Sequence, residues 1–309
     1  MYGKTLVIVN PTARSGKATQ VAAQTASALN HIKTKSPVAL SDYTFHYTVK
    51  AKEAESITTI EGPNFDTILV IGGDGALHEV ANGLMHLPRA NRPRLALIPC
   101  GNGDDFARTI GMNRDVEKSI QQLTSLTLTP KYTDVVRANS EWYLETLSFG
   151  VDAAIALGTQ ELRKTTKRTG TSLYIQCGID QLRKHRIPRQ CTLQLDNNAP
   201  QELTCYLLAI QNGVSYGGGF RVCPQAKLND GLLDICYVTP PLSFMAATKL
   251  FMKAKDGHHT TDSHIHFEQA SRIALSFAKP LPAQIDGEHF EDTQAIIEVF
   301  PSELEVYMP

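Results

Sequence analysis

Thr67-Ile68-Leu69-Val70-Ile71-Gly72-Gly73-Asp74-Gly75-Ala76-Leu77-His78-Glu79-Val80 is the stretch whose reading decides the fold. A short aliphatic run of this kind is a buried strand. It breaks into glycines, after which Leu77, Val80, Ala81 and Leu84 recur on one helical face. Glycines between strand and helix let the backbone approach a phosphate and turn its N–H groups toward it, and the helix start adds partial positive charge. Taken alone, Gly72-Gly73-Asp74-Gly75 is equally a plain strand-to-helix turn. It is neither a Walker loop nor a G-x-G-x-x-G fingerprint.

The surrounding sequence narrows the choice. An aliphatic run at 5–9 ends in Asn10-Pro11, helical spacing covers 17–29, 43–49 alternates as a strand, and 51–60 is helical. Helical spacing then covers 76–87 and a strand follows at 94–98. Strands alternating with helices of this length predict a parallel sheet covered on both faces. Two further loops follow strands of that sheet: Asn10-Pro11-Thr12-Ala13-Arg14-Ser15-Gly16-Lys17 and Pro99-Cys100-Gly101-Asn102-Gly103-Asp104-Asp105-Phe106-Ala107-Arg108. In a parallel sheet such loops open at one edge, where ligands bind. Three of them together predict a nucleotide-phosphate site, with Asp74 suited to a cation rather than to phosphate itself.

The texture changes near residue 131. Short β-type runs appear at 132–137, 142–149, 190–195, 203–211, 232–238 and 272–277, with helical insertions at 152–185 and 242–255. Mostly antiparallel strands with tight turns predict a β-sandwich. The expected division is an α/β nucleotide-binding domain over 1–130, a β-sandwich substrate domain over 131–295, and a last strand within 296–309 returning to the first domain.

A formal net charge of -1 over 309 residues gives no basic field that would attract nucleic acid. Six scattered cysteines without a C-x-x-C pair fit buried thiols of a reducing compartment, so a cytoplasmic protein is expected. The apolar run at the N-terminus is too short for a signal peptide, and no apolar stretch is long enough to span a bilayer. A lipid substrate would have to be met peripherally, at the membrane surface.

Gly72 through Gly75, with His78-Glu79-Val80 and Asn82-Gly83-Leu84, resembles the nucleotide loop of diacylglycerol-kinase catalytic domains. Asn10-Pro11 with Ser15-Gly16-Lys17, and Gly101 through Arg108, resemble two further blocks of that family. The likeness continues through Gln211-Asn212-Gly213, Tyr216-Gly217-Gly218-Gly219, Pro224 through Asp234, and Asp286-Gly287-Glu288. It covers nearly the whole chain and is nearest to the bacterial soluble lipid kinases.

The resemblance implies the fold shared with NAD kinases and transfer of the ATP γ-phosphate to a lipid alcohol such as diacylglycerol. ATP would be held by Asn10, Thr48, Gly73, Asp74, Gly75, Ala76, Leu77, His78, Glu79 and Asn102. Mg²⁺ would lie at Asp230 with the backbone oxygens of Lys227 and Leu232, and Asp286 would act as general base beside Glu288. A homodimer is a further implication. Ala76 stands where the family has threonine, and Asn102 and Asp104 replace a threonine and an asparagine. Those departures keep open a catalytically weak lipid- or nucleotide-binding regulatory protein; a small-molecule kinase of the NAD-kinase or phosphofructokinase kind is the other alternative.

Other features have plain readings beside the functional ones. Asp286-Gly287 is by itself a strong hairpin signal, and Asn229-Asp230-Gly231 is another turn. His258, His259, His264 and His266 fit no helical ligand pair and read as ordinary histidines. Arg163, Lys164, Lys167, Arg168, Arg183, Lys184 and Arg186 form a basic region, either a solvated face or a contact for anionic headgroups. Trp142 reads as core.

Overall fold

The computed structural model describes residues 2–166, 168 and 171–309. The chain forms two compact units, Met1–Thr133 with Ser302–Pro309, and Asp134–Pro301. In the first, β1 (Gly3–Val9), α1 (Ala13–Gly16), α2 (Ala18–Lys35), β2 (Leu40–Tyr47) and α3 (Glu53–Glu61) lead into β3 (Thr67–Gly72), α4 (Asp74–Met85) and β4 (Arg94–Pro99). The strands lie in the order β2-β1-β3-β4, all parallel. Leu6, Val7, Ile8, Ile68, Leu69, Val70 and Ile71 are all buried, as expected of strands covered on both faces.

Two short helices, α5 (Asp105–Thr109) and α6 (Val116–Thr124), were not expected from the sequence. α5 is too short to show a helical period. α6 is polar on most sides, but its start carries a local signal: the Asp115 carboxylate accepts the Lys118 N–H at 3.1 Å as an N-cap.

The second unit opens with β5 (Thr129–Ala138, which begins in the first unit), β6 (Glu141–Tyr143), β7 (Thr146–Gly150), α7 (Val151–Thr166) and α8 (Thr171–His185). It continues with β8 (Arg189–Leu195), β9 (Gln201–Cys205), β10 (Leu207–Gln211), β11 (Leu233–Val238) and α9 (Phe244–Ala254). β12 (Ile265–Ala270), β13 (Arg272–Phe277), β14 (Ala283–Ile285), β15 (Glu288–His289) and β16 (Gln294–Met308) follow. The far end of β16 belongs to the first unit, where Val306 pairs in parallel with Leu95 of β4.

One sheet of this unit runs β16-β13-β8-β9, with β5 and β6 attached through β16; the other runs β12-β11-β10-β7-β14-β15. Leu147, Phe149, Leu208, Ile210 and Ile235 pack against Leu193, Ile273, Leu275 and Ile297 in the sandwich core. The opposite face of the second sheet is buried too. Ala209, Cys236 and Val238 meet Val151 and Ile155 of α7, Tyr174 of α8 and Leu250 of α9. The sandwich therefore carries a helical layer on one side.

The structure refines three expected elements, splitting two strand runs and resolving the helical insertion into a pair. The run at 142–149 is two strands separated by Leu144 and Glu145, 203–211 is two strands broken at Tyr206, and the insertion at 152–185 is two helices. The first break has a clear cause, because the backbone N–H groups of Leu144, Glu145 and Thr146 all turn to the Asp286 carboxylate.

Candidate functional site

In the first unit the loops after β1, β3 and β4 leave the same edge of the sheet. The Asn10 N–H donates to the Ile71 carbonyl at 3.1 Å and the Cys100 N–H to the Gly72 carbonyl at 2.8 Å, so the strand pairing extends into the loops. Gly73 and Gly101 then meet backbone to backbone. A Cβ built on Gly73 would lie 2.8 Å from the Gly101 Cα, and one on Gly101 would lie 2.5 Å from the Gly73 Cα. Neither position admits a side chain. α4 begins at Asp74, so the first-turn N–H groups of Asp74, Gly75 and Ala76 point out of the helix start, as an anion requires.

Side chains around this edge brace the loops. The Asp74 Oδ1 accepts the Asp105 N–H at 2.9 Å and the Phe106 N–H at 3.3 Å, tying the second glycine loop to the first. Asp104, in a left-handed conformation at φ 51°, folds back to accept the Gly101 N–H at 2.7 Å, and its Oδ2 lies 3.8 Å from the Arg114 Nε. It is buried, and burial pushes its pKa up against the Gly101 hydrogen bond and the nearby Arg114 and Arg14 charges. Asp104 is thus a loop brace, not a bare charge among the loop N–H groups.

The nucleotide candidates fall into two groups. Gly73, Asp74, Gly75 and Asn102 occupy the loop edge, while Asn10 and Thr48 follow β1 and β2 at the same edge of the sheet. The Asn10 Oδ1 accepts the Thr12 N–H and hydroxyl at 3.1 and 2.7 Å, and Thr48 donates its N–H to the Val9 carbonyl at 2.9 Å. Ala76, Leu77 and His78 instead have buried side chains. A Cβ on Gly72 would meet the Ala76 methyl at 2.7 Å, and the His78 Nε2 lies 3.3 Å from the Asn82 Nδ2. The Glu79 carboxylate accepts the Lys52 and Ala54 N–H groups at 2.9 and 3.1 Å, capping the start of α3. Its partners are structural.

In the second unit Asp286 and Gly287 form the two-residue turn of the β14–β15 hairpin, at φ 46° and 92°. Both values are positive, which is the twist such hairpins favour. The Asp286 Oδ2 accepts the Leu144 N–H at 2.9 Å, and Oδ1 accepts those of Glu145 and Thr146 at 3.0 Å each. Glu288 is exposed on β15, opposite Ile285. The catalytic candidates therefore share one hairpin.

The Asn229-Asp230-Gly231 turn is fixed from the same neighbourhood. The Asp134 Oδ2 accepts the Gly231 N–H at 2.7 Å, and the Asp134 N–H donates to the Leu228 carbonyl at 2.6 Å. Asp230 itself is exposed and its Oδ1 accepts the Leu232 N–H at 3.1 Å. An exposed carboxylate flanked by the main-chain oxygens of Lys227 and Leu232 is an all-oxygen donor set, the kind a hard divalent cation takes. Asp134, which carries no recognisable sequence signal, and Asn212, part of the Gln211-Asn212-Gly213 motif, brace this region. Asn212 donates to the carbonyls of Asp134 and Leu144 at 3.2 and 2.8 Å.

The sequence also gave no sign of a cavity between the second sheet and its helical layer. It is a partly open apolar pocket with room for water-sized spheres over about 80 Å³. Ile155, Tyr174, Phe220, Val238, Leu250 and Phe251 are among the residues that line it. The histidines are dispersed. His259 is buried with Nε2 3.0 Å from the Val222 carbonyl, and His264 Nδ1 lies 3.0 Å from Asp262. Of the basic region, Arg183 and Lys184 are exposed, Arg186 turns inward to the Leu242 carbonyl, and Lys167 lies outside the described residues.

The chain matches two family models in succession. These are the diacylglycerol kinase catalytic domain over residues 4–137 and the YegS C-terminal NAD kinase beta sandwich-like domain over residues 145–308. It is 29% identical to "Diacylglycerol kinase" of Bacillus subtilis over 227 residues, 73% of this chain and 72% of that one. It is 30% identical to "Probable lipid kinase YegS-like" of Stenotrophomonas maltophilia over 254 residues, 79% of each chain. A solved diacylglycerol kinase structure from Bacillus anthracis superposes with a TM-score of 0.80 at 25% identity, over 100% of this chain and 98% of the other. An α/β unit with glycine loops, followed by a sandwich of this type, places the chain in the diacylglycerol kinase catalytic domain family, in its form with a YegS-type C-terminal domain.

Proposed function

We propose that this protein is a lipid kinase that transfers the γ-phosphate of ATP to the hydroxyl of a lipid alcohol of the diacylglycerol kind. The observation that carries the reading is the Gly73–Gly101 backbone contact. It brings the backbones of the two loops together at the start of α4, whose first-turn N–H groups are oriented to receive a polyphosphate. The apolar cavity of the second unit supports a lipid rather than a small polar acceptor.

In this reading the N–H groups of Gly73 through Ala76 and the side chains of Asn10, Thr48 and Asn102 hold the nucleotide. The buried side chains of Leu77 and His78 set the helix in place, and Glu79 anchors α3 beside it. Mg²⁺ held by Asp230 and the carbonyl oxygens of Lys227 and Leu232 would neutralise phosphate charge. Asp286 orients the acceptor hydroxyl and takes the proton, with Glu288 beside it on the hairpin. In a loose phosphoryl-transfer transition state the proton leaves late, so orientation counts for more than basicity. Contact with membranes is peripheral.

The test is incubation of the purified chain with radiolabelled ATP, magnesium and a panel of lipid alcohols. Label transfer to a lipid is expected. Transfer only to a small soluble acceptor would replace the reading with a small-molecule kinase, and ATP binding without transfer would replace it with a regulatory protein.

A further inference from the structure

Two residues before the Asp286-Gly287 turn stands a buried amide. On β14, Ala283 and Ile285 pack in the sandwich core, so the alternation of a strand turns Gln284 to the opposite face, where it is 1% exposed. A buried amide persists only with its hydrogen bonds made. The Gln284 Oε1 accepts the Gly287 N–H at 2.7 Å, and its Nε2 donates at 2.7 Å to the hydroxyl of Ser148, its cross-strand partner on β7. Ser148 hydrogen-bonds in turn to the Asp152 carboxylate in the first turn of α7, which also accepts the Tyr216 hydroxyl at 2.6 Å.

The chemistry of these groups fixes the direction of the chain of bonds. An ionised carboxylate only accepts and a serine hydroxyl carries one proton, so Ser148 donates to Asp152 and accepts from Gln284. Gln284 must then present its NH₂ to Ser148 and its oxygen to Gly287. The other side of the turn is held from the same helix, because the Gln160 Nε2 donates to the Gly287 carbonyl. Both polar groups of Gly287 are therefore tied to α7, one directly and one through Gln284, Ser148 and Asp152. Exposed loop tips are ordinarily the mobile parts of a fold. This one is clamped beside the three N–H groups that the Asp286 carboxylate accepts.

We propose that Gln284 and Gln160 are positioning residues for the phosphoryl transfer, holding the Asp286 turn through the N–H and carbonyl of Gly287, with Ser148 and Asp152 setting the Gln284 amide the right way round. The proposal rests on the reading of Asp286 as the group that orients the acceptor hydroxyl, and both glutamines act through it. A misplacement of about 1 Å at a reacting centre can cost on the order of 10²-fold in rate, so a clamp of this kind matters to turnover rather than to nucleotide binding.

The experiment is steady-state kinetics with ATP and a short-chain diacylglycerol on Gln160→Leu, Ser148→Ala and Gln284→Leu, each alone and combined with Asp286→Asn. Each single change should lower kcat by about 10–10²-fold and leave the KM for ATP unchanged. In the Asp286→Asn background each should cost little more, since residues acting through one group are not additive. Gln160 is only half-buried and Ser148→Ala removes a single hydroxyl, so these two variants decide the matter if Gln284→Leu does not fold; thermal midpoints check that they do. Equal fold-losses in both backgrounds would show a general structural role and overturn the proposal. Wild-type kcat in Gln160→Leu or in Ser148→Ala would remove that arm of the clamp. Wild-type kcat in Asp286→Asn alone would instead defeat the reading of Asp286, and absence of label transfer to any lipid alcohol would defeat the kinase reading itself.

Discussion

Gly73 and Gly101 are in van der Waals conflict with any side chain placed on either, because each stands against the other's Cα. Gly101→Ala would put a methyl 2.5 Å from the Gly73 Cα and 2.6 Å from the Asp104 Oδ1. The loops must part to accept it, which disturbs the N–H cradle without touching the core strands. ATP affinity, measured by calorimetry, should fall at least about tenfold while the thermal midpoint changes by only a few degrees. Wild-type affinity in that variant would show that the loops hold no phosphate.

Asp286→Asn tests the hairpin. The change removes both charge and proton acceptance, and general-base loss typically lowers kcat by about 10²–10⁴-fold. It also sets an amide NH₂ or a single oxygen against the N–H groups of Leu144, Glu145 and Thr146, so stability should fall by about 1–3 kcal/mol. Turnover, ATP affinity and urea unfolding measured together separate the two effects. A stable variant with near wild-type turnover would reduce Asp286 to a turn residue.

Asp230→Ala should raise the magnesium concentration needed for half-maximal activity and leave the fold unchanged. Asp230 is exposed and makes only the local Leu232 contact. Magnesium titration of activity checks it, and an unchanged dependence removes Asp230 from the metal site.

Asp152 gives a pH prediction. Burial pushes its pKa up to about 6, with hydrogen bonds from Tyr216 and Ser148 opposing. The folded chain therefore holds this proton more tightly than the unfolded chain, whose aspartate titrates near about 3.9. The neutral form's advantage is fully present below about pH 4 and is lost as pH rises through about 6. Nearby Tyr216 and Cys205 are pushed upward and Cys236 is pulled downward by Cys223; these groups, His259 and Arg186 are common to both proteins compared. Asp152→Asn should thus be more stable than the wild type at neutral pH, by roughly 1–3 kcal/mol, and equal to it near pH 4. Urea unfolding across that range checks the sign. Destabilisation at every pH would mark Asp152 as a purely structural residue.

The proposed lipid substrate gives a membrane-binding prediction for the exposed face of the helical layer. Met245, Lys249 and Met252 lie along the exposed stripe of α9, with Met245 82% exposed, and Arg183 and Lys184 are exposed on α8. Vesicles containing anionic lipid should bind the protein more than neutral ones, and salt should weaken the difference because exposed charges are screened beyond about 8 Å at physiological ionic strength. Met245→Asp with Lys249→Glu should reduce binding in co-sedimentation. Equal partitioning onto both vesicle types would eliminate the electrostatic contribution.

The sequence by itself determined the elements whose signal is local. The alternation of aliphatic strands with amphipathic helices specified the parallel sheet, because strands buried on both faces must be continuously apolar. The glycines at 72–75 and 101–103 marked loops where backbone had to come close, and Asp286-Gly287 marked a hairpin, since few residues tolerate the turn it needs. Local readings failed where one residue's role depends on a partner far along the chain. Nothing near Asp104 shows that it folds onto Gly101 toward Arg114, and nothing near Glu79 shows that it caps a helix starting at Glu53. The break at Leu144 and Glu145 exists because a carboxylate more than a hundred residues later collects their N–H groups. The cavity was invisible for the same reason. Its lining residues read as core in sequence, and only the packing of α7, α8 and α9 on the sheet decided that they leave a space with Asp152 in its wall.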